Sequence, residues 1–320
     1  MQPLLAIVRH SASTLRVLEI NSLAAAEIPA LFTDRAHQTA ISYPQLKTFI
    51  VGQYPIFGRP TSELMAEIPG YKRFIPFPNL RRLCVNGCYA FDNDLLLRSN
   101  NGGTLERLSL PIDQCFTEMA AKQQIFREKM FSNLASISLT IGGREFPVTA
   151  RLKADAACLA LDVVAASKDA SVEHLKLDGL FNSSVLIQGI SQRVDGFLGI
   201  KVLELPKMRL DFAEIADILG QLQMLRRLRC ALSGKASNML DESIDVNSDK
   251  NASESCKAWC AGAGRVLNPN FESLQLTPTT KCSMGVIALW LSFLYTVCPR
   301  LHRVGMGMVD LKNACKDAVC

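Results

Sequence analysis

The chain has 320 residues, 48% of them apolar and 20% charged, with a formal net charge of +5. That apolar share supports a large core and excludes global disorder, while so mild a charge does not by itself imply nucleic acid or membrane. Length alone suggests one large domain or two ordinary ones. In chain order, residues 1–14 read as the end of a helix carrying Leu4, Leu5, Ile7 and Val8, which runs into a strand at Leu15. From there a six-residue phrase, apolar at its first, fourth and sixth places, returns ten times.

The copies are Leu15-x-x-Leu18-x-Ile20, Leu46-x-x-Phe49-x-Val51, Leu80-x-x-Leu83-x-Val85, Leu105-x-x-Leu108-x-Leu110 and Leu134-x-x-Ile137-x-Leu139. Val172-x-x-Leu175-x-Leu177, Ile200-x-x-Leu203-x-Leu205, Leu225-x-x-Leu228-x-Cys230, Phe271-x-x-Leu274-x-Leu276 and Leu301-x-x-Val304-x-Met306 follow. The last four places alternate with the period of a strand that has one buried face, so the fourth and sixth side chains point inward and the third and fifth outward. Successive copies start 25 to 46 positions apart, room for one strand and one return helix, and the period of leucine-rich repeats. One such unit cannot bury its own apolar face, so neighbours stack. The expected fold is therefore an α/β leucine-rich-repeat solenoid over residues 1–320, a single domain of about ten irregular repeats. It has a curved parallel sheet on the concave side and helices on the convex side.

Between the strands, several segments show helical spacing. Ser62 opens a short helix with Leu64, Met65 and Ile68, and residues 117–131, 152–166 and 183–198 carry similar patterns. Asp211 with Glu214 resembles a capping box ahead of Phe212, Ile215, Ile218, Leu219 and Leu222. Met284 to Val297 is apolar nearly all round, which suits a helix covered on more than one side. Tyr43-Pro44, Phe77-Pro78-Asn79, Phe131-Ser132-Asn133, Pro269-Asn270 and Cys298-Pro299 punctuate the helix-to-strand turns. Residues 233–255 are polar and acidic, and read as a flexible insertion loop. A solenoid normally begins with a polar-faced cap. None is visible before Leu15, so the polypeptide reads as a fragment whose first apolar edge is bare.

Eleven cysteines are scattered along strands and helices rather than paired, which suits small buried hydrophobes in a reducing compartment, cytoplasmic or nuclear. Cys256 and Cys260 lie four apart without a second close pair or a nearby His, so no zinc site is expected. The sequons at Asn182 and Asn251 read as accidental. The N-terminus shows no signal peptide. The longest apolar run, Gly285 to Cys298, falls short of the roughly 20 residues a membrane span needs.

The pattern resembles leucine-rich-repeat proteins, in particular the irregular repeats of fungal F-box/leucine-rich-repeat proteins. Phe77-Pro78-Asn79-Leu80-Arg81-Arg82-Leu83-Cys84-Val85-Asn86-Gly87 and Cys298-Pro299-Arg300-Leu301 carry that likeness, which covers roughly residues 4–310. The resemblance implies a substrate-binding repeat region, joined in that family to an F-box that docks on a Skp1-type adaptor of a cullin ubiquitin ligase. Two features depart from the family. Only Cys88 conforms at the ninth place, where Leu23, Leu180 and Met208 stand elsewhere, and no F-box precedes Leu15.

His10, His37, His174 and His302 are dispersed, and the chain lacks a nucleophile elbow, a phosphate loop and a zinc-protease signature, so an enzyme is not expected. No cofactor or metal is implied. His174 and His302 read as plain surface residues. The third and fifth places form the expected binding face. Arg82, Arg107, Lys176, Arg227, Arg229 and Arg303 outnumber Glu19 and Glu204 there, and His174 joins them. A moderately basic concave face implies a protein partner with an acidic segment, charge contributing steering and specificity. The function that follows is protein recognition, foremost as the substrate-recognition region of an F-box-type ubiquitin-ligase receptor. A general scaffold is the first alternative and nucleic-acid binding the second. The latter is disfavoured by the absence of Trp and Tyr from these places.

Overall fold

The computed structural model describes residues 2–23, 28–34, 39–53, 75–86, 103–112, 117, 131–141, 148–167, 172–179, 181–232, 266–278 and 284–306. The expected helix after Ser62, nearly all of 117–131, the loop 233–255, the Cys256/Cys260 pair, Asn251 and His37 lie outside them. The chain is α/β and divides into two compact units, Met1–Val172 and Glu173–Cys320.

In the first unit, β1 (Val17–Leu23), β4 (Thr48–Gln53), β5 (Arg82–Asn86), β6 (Arg107–Ile112) and β7 (Ser136–Ile141) lie parallel, in that order. The two-residue strands β2 (Thr33–Asp34) and β3 (Thr39–Ala40) form a separate antiparallel pair. In the second unit, β8 (His174–Asp178), β9 (Val202–Leu210), β10 (Arg227–Leu232), β11 (Ser273–Pro278) and β12 (Arg303–Met306) are likewise parallel in chain order. Parallel neighbours need a crossover. The helices Ser183–Gln192, Phe212–Gln221 and Met284–Val297 supply those of the second unit that are described.

The register aligns like places of the phrase. Val17, Thr48, Arg82, Arg107 and Ser136 stand side by side, as do His174, Val202, Arg227, Ser273 and Arg303. One hydrogen-bond pattern recurs at every step within each unit. The second-place carbonyl accepts from the second- and third-place N–H groups of the next copy; Arg81 thus receives Glu106 and Arg107 at 2.8 and 2.9 Å, and Arg226 receives Glu272 and Ser273 at 2.9 Å each. The strand face follows the alternation. Nine of the ten residues at each of the first, fourth and sixth places are buried, and the exceptions, Leu15, Val304 and Met306, fall in the first and last copies. None of the twenty residues at the third and fifth places is buried.

The turns before the strands extend the core. Leu46, Leu80, Leu134, Ile200, Leu225 and Leu301 each donate an N–H to the carbonyl three residues upstream. Those upstream residues, Tyr43, Phe77, Phe131, Phe197, Leu222 and Cys298, are all buried. Phe77 meets Phe49 with ring centroids 4.9 Å apart, and the Tyr43 hydroxyl donates to the Leu31 carbonyl at 2.7 Å. At the chain start, the helix Gln2–His10 buries Leu5 and Val8 and packs on the helix Ile28–Phe32, while Leu4 and Ile7 stay exposed.

The expected helices at 152–166 and 183–198 are present as Ala150–Ala165, Ser183–Gln192 and Val194–Phe197. Asp211 and Glu214 form the anticipated capping box, each side chain accepting from the other's backbone N–H. Asn182 is engaged as an N-cap, its side chain accepting from the Val185 N–H at 3.1 Å. The helix Met284–Val297 departs from expectation. Ile287, Trp290, Phe293, Leu294 and Val297 are buried on one face, but Ala288, Ser292, Tyr295 and Thr296 are exposed. The Ser292 and Thr296 hydroxyls satisfy themselves on carbonyls four residues back, so that face stays in water and the helix is covered on one side. Trp290 stacks on Phe212 at 4.9 Å, tying this helix to Phe212–Gln221, which in turn packs on Ser183–Gln192.

Candidate interaction surface

Three rows of side chains leave the solvent side of the strands, and they differ in how their charges are used. At the second place, charges of neighbouring copies meet. Arg81 pairs with Glu106 at 3.0 Å in the first unit, and in the second Lys201 pairs with Glu173 and Arg226 with Glu272 at 3.8 Å. These residues lie at the strand entrances, and in these three pairs adjacent copies bring opposite signs together, whereas Arg16, Lys47 and Arg81 set like charges in successive copies. Such exposed pairs add little stability.

The third and fifth places are different. In the first unit, Arg82 on β5 and Arg107 on β6 are direct neighbours in register and both exposed. With Glu19 on β1, they are the only charged residues in these two rows of that unit; Thr48, Ile50, Cys84, Ser109, Ser136 and Ser138 fill most of the rest. The second unit gathers the other five expected residues: His174 and Lys176 on β8, Arg227 and Arg229 on β10, and Arg303 on β12. It therefore sets four fixed cations against one carboxylate, Glu204 on β9. The guanidinium groups of Arg227, Arg229 and Arg303 have no ion-pair or hydrogen-bond partner among the described residues.

Glu204 has company. It lies in register between Lys176 and Arg229, and the His174 Nε2 approaches its Oε1 at 3.2 Å. His174, expected to be a plain surface residue, is thus half-buried and holds the one acid of the third and fifth places in this unit. His302 is exposed, with Nδ1 2.9 Å from the Arg300 carbonyl.

A depression of about 350 Å³ opens over β9 to β12, with Glu204, Arg227, Arg229, Ser273, Gln275 and Arg303 among its walls. Its floor is β11, whose third and fifth residues are the small or neutral Ser273 and Gln275. Across it Arg227, Ser273 and Arg303 form one row, and Arg229, Gln275 and Gly305 the next. The arrangement can bind anionic groups.

Side chains at the turns hold this floor in place. Asn268 is fully buried; its amide donates to the Leu222 carbonyl at 2.8 Å, and its Oδ1 accepts the Asn270 N–H at 2.9 Å. Asn270 in turn donates to the Gln223 carbonyl at 3.0 Å. The equivalent Asn79 donates to the Pro44 carbonyl at 2.8 Å, and Asn133 to that of Gly103. Each of these three Asn residues stands just before its phrase and reaches back to the turn of the preceding copy. Closure thus occurs at the strand entrance, through residues that read in the sequence as mere punctuation.

Among the described residues no three His, Cys, Asp or Glu side chains gather to hold a metal ion, and no helix is long and apolar enough to cross a membrane. Cys158, Cys230 and Cys298 are free thiols. Burial pushes the Cys230 thiol up to about 12, with the Glu214 charge adding to the effect, and that of Cys298 up to about 11. Both behave as small core hydrophobes. No protein-family model matches the chain, and no curated protein matches it.

Proposed function

We propose that this chain is a protein-recognition module of the leucine-rich-repeat solenoid kind, and that its partner carries an acidic segment. The observation that carries this reading is the set of three arginines, Arg227, Arg229 and Arg303, whose guanidinium groups form no ion pair among the described residues, around one depression of the second unit whose two carboxylates, Glu204 and Glu272, are turned to His174 and Arg226. Some surface charges are offset by neighbours, as Arg81, Lys201 and Arg226 are at the second place. Charges held unpaired and in register suit an external anion, and they steer association as well as select it.

The likeness to fungal F-box/leucine-rich-repeat proteins gives the reading a cellular form: the substrate-recognition region of a ubiquitin-ligase receptor, cytoplasmic or nuclear. Coupling to a Skp1-type adaptor then requires an F-box on a longer polypeptide, and without it the same face serves a scaffold. Capture from source cells tests the core of the proposal. Residues 1–320 and a triple variant with Arg227→Glu, Arg229→Glu and Arg303→Glu are compared, with Arg82→Glu/Arg107→Glu as the control. An acidic protein retained by the native chain and the control but lost from the triple variant bears out the reading. Identical captures by all three forms sink it.

A further inference from the structure

The spacing of the arginines carries a more specific conclusion, which rests on the recognition reading above. Arg227 and Arg229 are two residues apart on β10, so both project to the solvent side, about 7 Å from each other along the strand. Arg303 stands two strands from Arg227 and in register with it, about 10 Å away, with only Ser273 between. Ser273 and Gln275 form an uncharged stretch of β11, the floor of a trough walled by Arg227 and Arg229 on one side and by Arg303 and Gly305 on the other, with Glu272 at its entrance paired to Arg226 at 3.8 Å. Beyond Arg229, Glu204 lies in register with it and is held by His174 at 3.2 Å, which puts a negative border on the β9 side. An acidic partner is thereby confined to the trough.

We propose that the trough takes an extended segment with the pattern acid-x-acid, lying along β11. An extended chain repeats its side-chain direction every second residue, about 7 Å, which is also the separation of Ser273 and Gln275 beneath it and of Arg227 and Arg229 beside it. One carboxylate sits over Ser273 between Arg227 and Arg303, and the second over Gln275 against Arg229. Neighbouring acids project to opposite faces of an extended chain and cannot both reach the floor. The segment is selected by register as well as by charge, with the guanidinium forks matching carboxylate geometry.

Fluorescence anisotropy with labelled peptides tests this on the whole chain. The probes place Glu-Thr-Glu, Glu-Glu-Thr or a single phosphoserine in one neutral, extended host peptide. The expected result is preferential binding of Glu-Thr-Glu, weakened about tenfold by either Arg227→Gln or Arg229→Gln and untouched by Arg82→Gln/Arg107→Gln. Arg229→Gln also erases the preference over Glu-Glu-Thr. These positions are exposed, and an unchanged far-UV spectrum shows that each variant folds. Equal binding of the two diglutamate peptides overturns the proposal. So does tighter binding of the phosphoserine peptide that is indifferent to Arg229→Gln, which makes the seat one for a single tetrahedral anion. In both cases the broader reading stands if the triple charge reversal still loses its acidic partner. If no peptide binds and charge reversal changes no capture, both fall.

Discussion

Replacing Asn268 tests the argument that turn side chains hold the binding floor. This residue is wholly buried and makes two hydrogen bonds, to the Leu222 carbonyl at 2.8 Å and from the Asn270 N–H at 2.9 Å. Asn268→Leu keeps the volume and removes both. The Leu222 carbonyl still accepts the Leu225 N–H at 2.9 Å, so its loss is that of one ordinary bond, about 1 kcal/mol. The Asn270 N–H loses its acceptor in a half-buried position, which costs about 1–2 kcal/mol. The expected destabilisation is about 2–3 kcal/mol, a fall of about 1 M in the urea midpoint followed by far-UV circular dichroism. Asn268→Asp retains the acceptor but sets a buried carboxylate against the Leu222 carbonyl. Its pKa is raised by burial, so this variant is least stable at neutral pH and gains as the pH falls and the group protonates. An Asn268→Leu midpoint equal to that of the native chain would refute the reasoning, because the turn would then be held by packing alone.

Other consequences are more local. Leu274→Ala, at the fully buried fourth place of β11, costs about 2–5 kcal/mol, whereas Val304→Ala, at the half-buried end of the same row, costs less than half of that in the same urea assay. Gly52→Ala puts a Cβ 2.0 Å from the Asn21 backbone carbonyl, where β1 departs from regular register, and destabilises by about 1–3 kcal/mol; a variant as stable as the native chain shows that β1 can move aside. Iodoacetamide modifies the exposed Cys158 quickly and Cys230 and Cys298 only on unfolding. The folded state holds those two thiols neutral. Their contribution is therefore complete below the unfolded thiol pKa of about 8.5 and is lost as the pH rises from there toward 11 and 12. The urea midpoint falls across that window, and falls less in Cys230→Ala/Cys298→Ala.

The strands were legible because period-two alternation is a local property, and the third-to-sixth places of each phrase state it without reference to any other part of the chain. What escaped the sequence depends on register. Whether Arg226 is free or paired turns on Glu272, 46 positions away, and only the stacking of copies makes them neighbours. Likewise His174 finds Glu204 thirty positions on. Asn79, Asn133 and Asn270 were visible as turn residues, but their acceptors lie in the preceding copy. Tyr43, Phe77 and Phe131 stood beside prolines and serines and read as punctuation, although they complete the core. The helix Met284–Val297 misled through composition, since the small residues of its outer face, Ala288, Ser292 and Thr296, resemble a buried surface in a one-dimensional count.

Division of labour among the six places limits what the unpaired charges can be for. The first, fourth and sixth places make the core, and the second place pairs Arg81, Lys201 and Arg226 with carboxylates of adjacent copies. Neither service is asked of the third and fifth, where like charges opposite one another on adjacent strands are destabilising. In the second unit Ser273 separates Arg227 from Arg303, and Gln275 stands between Arg229 and Gly305, so the trough concentrates positive charge while avoiding direct cross-strand repulsion. In the first unit Arg82 and Arg107 face each other directly. That pair supplies repulsion without a trough between its members, which is why anion recognition is assigned to β10–β12. Folding alone would be served as well by serines at all three arginine positions, and the cost of keeping Arg227, Arg229 and Arg303 unpaired is explained by a partner that brings the carboxylates.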